Sequence, residues 1–257
     1  MTDSTNPAGG FALVRDAGYQ SRMNQRPANE LRPTTIEPFP AGAPGSVVIT
    51  AGKTKVLCTA SVQADVPRWI KKDPETGQPT HGWVTAEYSM LPGSTPDRKR
   101  RGTDGRSTEI QRLIGRALRA AVDLDKMPGL AITCDCDVLV ADGGTRTAAI
   151  SGAYVALCQA INWAREQGRL EGDPVVSPIA AISVGIIDGV PTLDLDYPLD
   201  VRAEVDMNVA MNGEGQFIEV QGTGEQGTFD RVQLDALLDL AQDGIKSLMA
   251  IQQQALS

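Results

Sequence analysis

One histidine, His81, and four cysteines without a CxxC pair leave the sequence without a zinc ligand set. Cys58, Cys134, Cys136 and Cys158 all lie in apolar strand-like or helical runs, and Cys134 and Cys136 fall on the same side of a strand. They read as buried thiols. No run of about 18 consecutive apolar residues occurs, which excludes a membrane-spanning helix. The first residues hold neither a basic n-region nor an apolar h-region, so no secretory signal is expected and the cytoplasm is the expected compartment. A surplus of positive charge is missing too: the formal net charge of −8 argues against a generalised nucleic-acid coat. What is there, 257 residues with 41% apolar and 22% charged content, suits one large domain or two fused halves with ample core.

The charge is unevenly spread. Between positions 98 and 119, Arg98, Lys99, Arg100, Arg101, Arg106, Arg112, Arg116 and Arg119 are set against only Asp104 and Glu109. The run from Arg98 to Arg101 reads as a mobile loop that seeks phosphates. In the helix that follows, Ile110, Leu113, Ile114, Ala117, Leu118 and Ala121 make an apolar stripe, while Arg112, Arg116 and Arg119 recur on another face. That face suits a solvated surface, a subunit contact, or RNA or phosphate binding.

Residues 1–25 are rich in Asn, Gly, Ala, Pro and Arg without sustained periodicity and are expected to form a flexible arm; residues 26–257 are expected to form one domain. Strands are predicted at 35–38, 46–51 and 54–62, the last two joined by a tight turn at Gly52-Lys53. A loop at 71–81 and a strand at 83–90 follow, then a helix over 107–122 and a strand over 130–140. Further on come a helix over 147–166, a hairpin of 180–187 with 192–197 about Asp188-Gly189, strands near 204–210 and 217–221, and an amphipathic helix over 231–253. The mixed order favours an α+β arrangement over a doubly wound parallel sheet. The apolar face of the last helix, with Leu234, Leu237, Leu238, Ala241, Ile245 and Leu248, suits either a core or a subunit contact.

Chemistry is concentrated in two places. From Cys136 to Ala153 the chain reads CDVLVADGGTRTAAISGA, an apolar strand running into two glycines, Thr-Arg-Thr and a small-residue helix. A capped strand-helix junction would read alike, but the pattern also builds an anion site. Backbone N–H groups of the turn and of the first helical turn point at one spot, the helix dipole favours negative charge, and Arg146 binds bidentately. The second place is a carboxylate cluster: Asp194 and Asp196 on a strand, then Asp200, Glu204 and Asp206. Such hard oxygen ligands suit Mg²⁺, with Asp200 and Asp206 as the main pair; Asp194 and Asp196 suit a solvated strand face equally well. A nucleotidyl-transfer or phosphate-ester reaction needs both parts, one to hold the anion and one to hold the metal that neutralises developing charge.

Seven segments together carry a family resemblance. They are ELRP at 30–33, GSVVITAGKTKVLCTASV at 45–62, GWVTAEYSMLP at 82–92, GRSTEIQRLIGRALRAAVDL at 105–124, CDVLVADGGTRTAAISGA at 136–153, AEVDMNVAM at 203–211 and IEVQGTGE at 218–225. The chain resembles the ribonuclease PH family of phosphate-dependent 3′-to-5′ exoribonucleases over nearly everything from Arg26 onward. The resemblance implies an α+β fold of two similar sheet-plus-helix halves in one globular subunit, assembled as a homohexamer, a trimer of dimers. It implies phosphate binding by Arg106, Gly144, Thr145 and Arg146, and catalytic and metal-binding roles for Asp200 and Asp206 with Mg²⁺. Arg98, Arg100 and Arg101 fall on the family's basic, RNA-guiding loop. The implied reaction is phosphorolysis: inorganic phosphate is the co-substrate, the 3′ tails of tRNA precursors (rRNA is a further candidate) are the substrate, and nucleoside diphosphates are released. A partner-dependent exosome-type ring subunit and a non-catalytic RNA scaffold are the competing readings. The chain departs from the family in reading NQRPANELRP where DGR usually precedes ELRP, in the short basic segment RKRRGTDGR, and in Leu199 where an acid often precedes the aspartate at position 200.

Overall fold

A computed structural model describes residues 26–102 and 104–257; the arm expected over 1–25 lies outside the described residues. Among the described residues nine strands form two sheets. The first contains β1 (Thr34–Pro38), β2 (Gly45–Ala51), β3 (Thr54–Gln63), β4 (Trp83–Met90) and β5 (Ala131–Val140), in the order β1-β2-β3-β5-β4. Its pairs are antiparallel except β4 with β5. A parallel pair needs a long crossover, and the connection from β4 to β5 supplies it through helix α1 (Gly105–Arg119) and a short 3-10 turn at Leu124–Lys126. The second sheet, wholly antiparallel, has the order β7-β6-β8-β9, with β6 at Ile179–Ile187, β7 at Val190–Leu193, β8 at Val205–Asn212 and β9 at Phe217–Gly224. The arrangement is α+β, with a sheet and its helices in each half.

Helix α2 (Thr145–Glu166) lies between the sheets, against β2, β3 and β5 on one side and β6 and β8 on the other. A helix enclosed on both sides must be apolar or small all round. Its sequence, TRTAAISGAYVALCQAINWARE, is buried without a break from Thr147 to Cys158. Close approach to β3 also requires Gly152, because a Cβ there would lie 2.8 Å from Cys58 Sγ. All four cysteines are buried free thiols, and the Cys58 and Cys136 side chains both contact the carbonyl of Ala149. The hydrogen bond with the neighbouring Cys136 thiol, then burial, holds Cys58 well above the ordinary thiol range, which keeps it inert.

Helix α4 (Arg231–Leu256) opens with a capping box, Asp230 accepting from the Gln233 N–H while the Gln233 side chain accepts from the Asp230 N–H. Leu237, Ala241, Ile245 and Leu248 are buried with β6, β7 and β8 residues, so the stripe that suited core or subunit contact is core. At its end the buried Gln252 donates to the carbonyls of Ser151 and Ile179, at 2.9 Å each, tying α4 to α2 and β6. Among the described residues no helix is long and apolar enough to cross a membrane.

The predicted strand over 192–197 is a correction. The strand ends at Leu193, Asp194 takes φ +54°, and Asp196 caps a short helix α3 (Tyr197–Arg202) by accepting from the Leu199 N–H at 3.0 Å. Alternation through Leu193, Asp194, Leu195 and Asp196 imitates a strand, while the Asp-x-Pro at 196–198 is a helix start.

A candidate phosphate-binding and acidic cleft

Where β5 ends, Gly143 and Gly144 both take left-handed backbone, with φ of +76° and +64°. A side chain at 143 would strain that turn and collide with the chain after β7, its Cβ falling 2.5 Å from the Leu195 carbonyl. The turn is tied to both halves. Thr54 Oγ1 accepts from the Asp142 N–H at 2.9 Å and donates to the Gly143 carbonyl at 2.7 Å. Arg32 Nη1 donates to the Asp142 carbonyl at 2.7 Å, while its Nε and Nη2 grip the Asp194 carboxylate at 3.0 and 2.6 Å. Gly144 is the N-cap of α2 and carries no side-chain cap, so the opening N–H groups of a 22-residue helix face the cleft beside it.

That cleft, of about 610 Å³, separates a cationic wall from an acidic one. On the cationic side stand Lys99, Arg106, Thr145 and Arg146. Arg106 projects from the first turn of α1, whose N-cap Asp104 accepts from the Ser107 N–H at 2.7 Å. Arg146 is held by Gln221 Oε1 at 2.6 Å and lies 3.5 Å from Glu109. Thr145 Oγ1 accepts from the Tyr88 hydroxyl at 2.9 Å. The acidic side holds Asp200 from α3, Asp206 from β8 and Glu225 just beyond β9.

Burial, then the charge of Asp200, pushes Asp206 up to about 6, against the pull of Arg146 and Arg106. Asp200 is raised as well, first by burial, with Arg106 opposing and Glu225 adding to the rise. Two carboxylates that resist ionising together, open to a phosphate-sized space, are a donor set that a hard divalent cation relieves. Among the described residues no group of three or more His, Cys, Asp or Glu side chains could hold a metal ion. Mg²⁺ commonly uses one or two protein carboxylates and completes its shell with water and substrate phosphates, so the pair fits that ion.

The structure thus places Arg106, Gly144, Thr145, Arg146, Asp200 and Asp206 around one cleft. Arg98, Arg100 and Arg101 are exposed beside it and do not line it, whereas Lys99 of the same run does. The remaining acids leave the cluster. Asp194 is buried against Arg32, Asp196 is buried as a helix cap, and Glu204 accepts from the Gly189 N–H at 3.0 Å. Neither reading of Asp194 and Asp196, solvated strand or metal site, survives. The helical arginine face is divided too: Arg116 pairs with Glu219 at 2.6 Å, and Arg119 lies over the Trp83 ring and donates to the Val84 carbonyl at 2.9 Å. Sequence reasoning placed Lys99 only within its basic run and missed Tyr88, Gln221 and Glu225; the last two sit inside the IEVQGTGE segment, whose polar alternation on an edge strand carries the signal.

The chain and its fold are similar to those of known proteins. Residues 30–161 match domain 1 of the 3′ exoribonuclease family, and residues 177–244 match its domain 2. The chain belongs to the 3′ exoribonuclease family. Over 242 residues it is 52% identical to ribonuclease PH of Corynebacterium efficiens and 49% identical to ribonuclease PH of Corynebacterium glutamicum (strain R), covering 92% of this chain and 96% of each relative. The fold is shared with a chain of the Archaeoglobus fulgidus exosome with RNA bound to the active site, at TM-score 0.73, 20% identity and coverage of 91% of this chain and 95% of that one. Rice (Oryza sativa) Rrp46 superposes at TM-score 0.71, with 18% identity over 92% of this chain and all of that one (100%).

Proposed function

We propose that the protein is a phosphorolytic 3′-to-5′ exoribonuclease of the ribonuclease PH type, a nucleotidyltransferase that trims the 3′ ends of tRNA precursors with inorganic phosphate as co-substrate. The observation that carries this reading is the joining, in one cleft, of an anion seat at a helix N-terminus with a carboxylate pair across from it.

Phosphate sits on the opening turn of α2, held by Arg106, Arg146 and the Thr145 hydroxyl. Its oxygen attacks the phosphorus of the last phosphodiester as the bond from that phosphorus to the departing 3′-oxygen breaks. The terminal nucleotide leaves as a nucleoside diphosphate, and the RNA keeps a free 3′-hydroxyl one residue back. Asp200 and Asp206 would hold Mg²⁺, which when bound supplies positive charge against the negative charge gathering on the transferred phosphoryl group. The attacking hydrogen phosphate gives up its proton as the departing 3′-oxygen takes one up, so the step balances, and Asp200 and Asp206 line the cleft in which it occurs. Tyr197 and Val201 are exposed on the same rim of α3 and offer the terminal base an apolar seat. Arg98, Arg100 and Arg101 guide the RNA backbone toward the cleft.

A hexameric ring, a trimer of dimers, and a cytoplasmic site of action belong to the same proposal, and the family resemblance supports both. Incubating the protein with a 3′-tailed tRNA and Mg²⁺, with and without phosphate, tests the activity. Shortening one nucleotide at a time only when phosphate is present is the expected result; equal shortening without it means hydrolysis and contradicts the proposal.

A further inference from the structure

Tyr88 has no part in the chemistry above, yet its hydroxyl reaches the anion seat from beneath. The residue is the last buried side chain of β4, 3% exposed, on the face shared by Val84 and Ala86 and covered by α1. From there its hydroxyl donates to Thr145 Oγ1 at 2.9 Å, and Thr145 is the first residue of α2 and lines the cleft. Burial raises the phenol above its ordinary range, against the charges of Arg106 and Arg146 nearby, so it remains a neutral donor.

A threonine hydroxyl has one proton and two lone pairs. With one lone pair occupied by Tyr88, the proton on Thr145 Oγ1 is left for an acceptor on the cleft side, which Thr145 lines. Beyond it lies the space between Arg106 and Arg146. We propose that Tyr88 is a positioning residue for the attacking phosphate: its hydrogen bond holds the Thr145 hydroxyl as a donor aimed into the cleft. The proposal rests on the reading of this cleft as a phosphate seat. Without the phenol, Thr145 is free to turn its proton elsewhere, and phosphate loses a preset partner while RNA does not.

The test compares the full chain with Tyr88→Phe, Thr145→Val and the double variant, measuring KM for phosphate, KM for RNA, kcat and thermal melting, with calorimetric titration of inorganic phosphate into each resting protein. Tyr88→Phe should raise the phosphate KM and weaken phosphate binding about fivefold, the size of one ordinary hydrogen bond, and leave the RNA KM and melting temperature in place. Thr145→Val should weaken phosphate further, and the double variant should match Thr145→Val alone, since Tyr88 acts only through Thr145. An unchanged phosphate KM in Tyr88→Phe, equal rises in both KM values, or effects that multiply in the double variant would each overturn the proposal while leaving phosphorolysis standing. If the wild-type protein neither binds phosphate nor requires it, the phosphate seat itself falls, and the role of Tyr88 with it.

Discussion

Arg32 and Asp194 form a fully buried ion pair, 2.6 Å apart, whose side chains are 1% and 4% exposed. Burial alone would lower the pKa of the guanidinium, but the charge and hydrogen bonds of Asp194, with Asp142 and Asp196 nearby, leave it raised. The pair joins the segment before β1 to the segment after β7, and a further Arg32 bond to the Asp142 carbonyl carries the link to the glycine turn. One arginine thus holds the two halves and the anion seat in register.

Removing that side chain leaves the buried carboxylate without its counter-charge, held only by the backbone N–H of residue 32 at 2.9 Å. Arg32→Met should cost about 3–5 kcal/mol, read as a lower urea midpoint, whereas Asp194→Asn, which keeps an acceptor but strands the guanidinium charge, should cost a similar amount. A change below about 1 kcal/mol in both variants would show that the pair is dispensable.

Arg146 is held by Gln221 beside the seat, so its loss should be felt by phosphate and not by the fold. Arg146→Ala should raise the phosphate KM by about 10-fold to 100-fold, as expected for a charge-assisted bond worth about 1.5–3 kcal/mol, with melting little changed. Steady-state kinetics at fixed RNA and varied phosphate measures it.

Gly143 can be tested by a single methyl group. Gly143→Ala forces a side chain into left-handed backbone and against the Leu195 carbonyl, so a loss of about 1–3 kcal/mol and a weakened phosphate seat are expected, by denaturant titration and phosphate binding.

The pH dependence of stability isolates Asp206. Its folded pKa, pushed up to about 6, lies above the ordinary carboxylate value, so the folded state holds the proton more tightly than the unfolded chain. Stability from this group is present below about pH 4 and is lost as pH rises through about 6. Asp206→Asn should therefore raise the melting temperature at pH 8 in chelator by a few degrees, change nothing at pH 4, and abolish phosphorolysis. A variant less stable than wild type at pH 8 would contradict the origin of the shift.

The loop arginines should act on RNA through charge alone. Replacing Arg98, Arg100 and Arg101 together by Ala should weaken RNA binding and flatten its salt dependence, with the phosphate KM unchanged.

Much of this was legible in the sequence, and the reasons are local. The glycine pair after an apolar strand, the arginine beyond it and the small-residue helix announce the anion seat because turn geometry, helix start and close packing each constrain residue type at short range. Asp200 and Asp206 stood out within a short run of five acids, and the family resemblance points to the same two. Asp194 misled because a charged residue paired deep in the fold looks, in sequence, like one facing water, and its partner Arg32 lies 162 positions away; Asp196 misled because the alternation around it hid a helix cap on the Leu199 N–H. The same holds for Tyr88, an apolar-face residue of β4 whose hydroxyl meets Thr145 only after the sheet and α2 are assembled, 57 positions apart. The amphipathic stripe of α4 was plain, but only the packed second sheet shows what covers it.

The central claim is that phosphate, not water, takes the terminal nucleotide. Supplying radiolabelled inorganic phosphate with a 3′-tailed tRNA and Mg²⁺, and separating the products, follows that atom directly. The label should appear as the β-phosphate of nucleoside diphosphates, in step with RNA shortening, and Asp206→Asn should abolish both. Label remaining in free phosphate while nucleoside monophosphates accumulate would contradict the account.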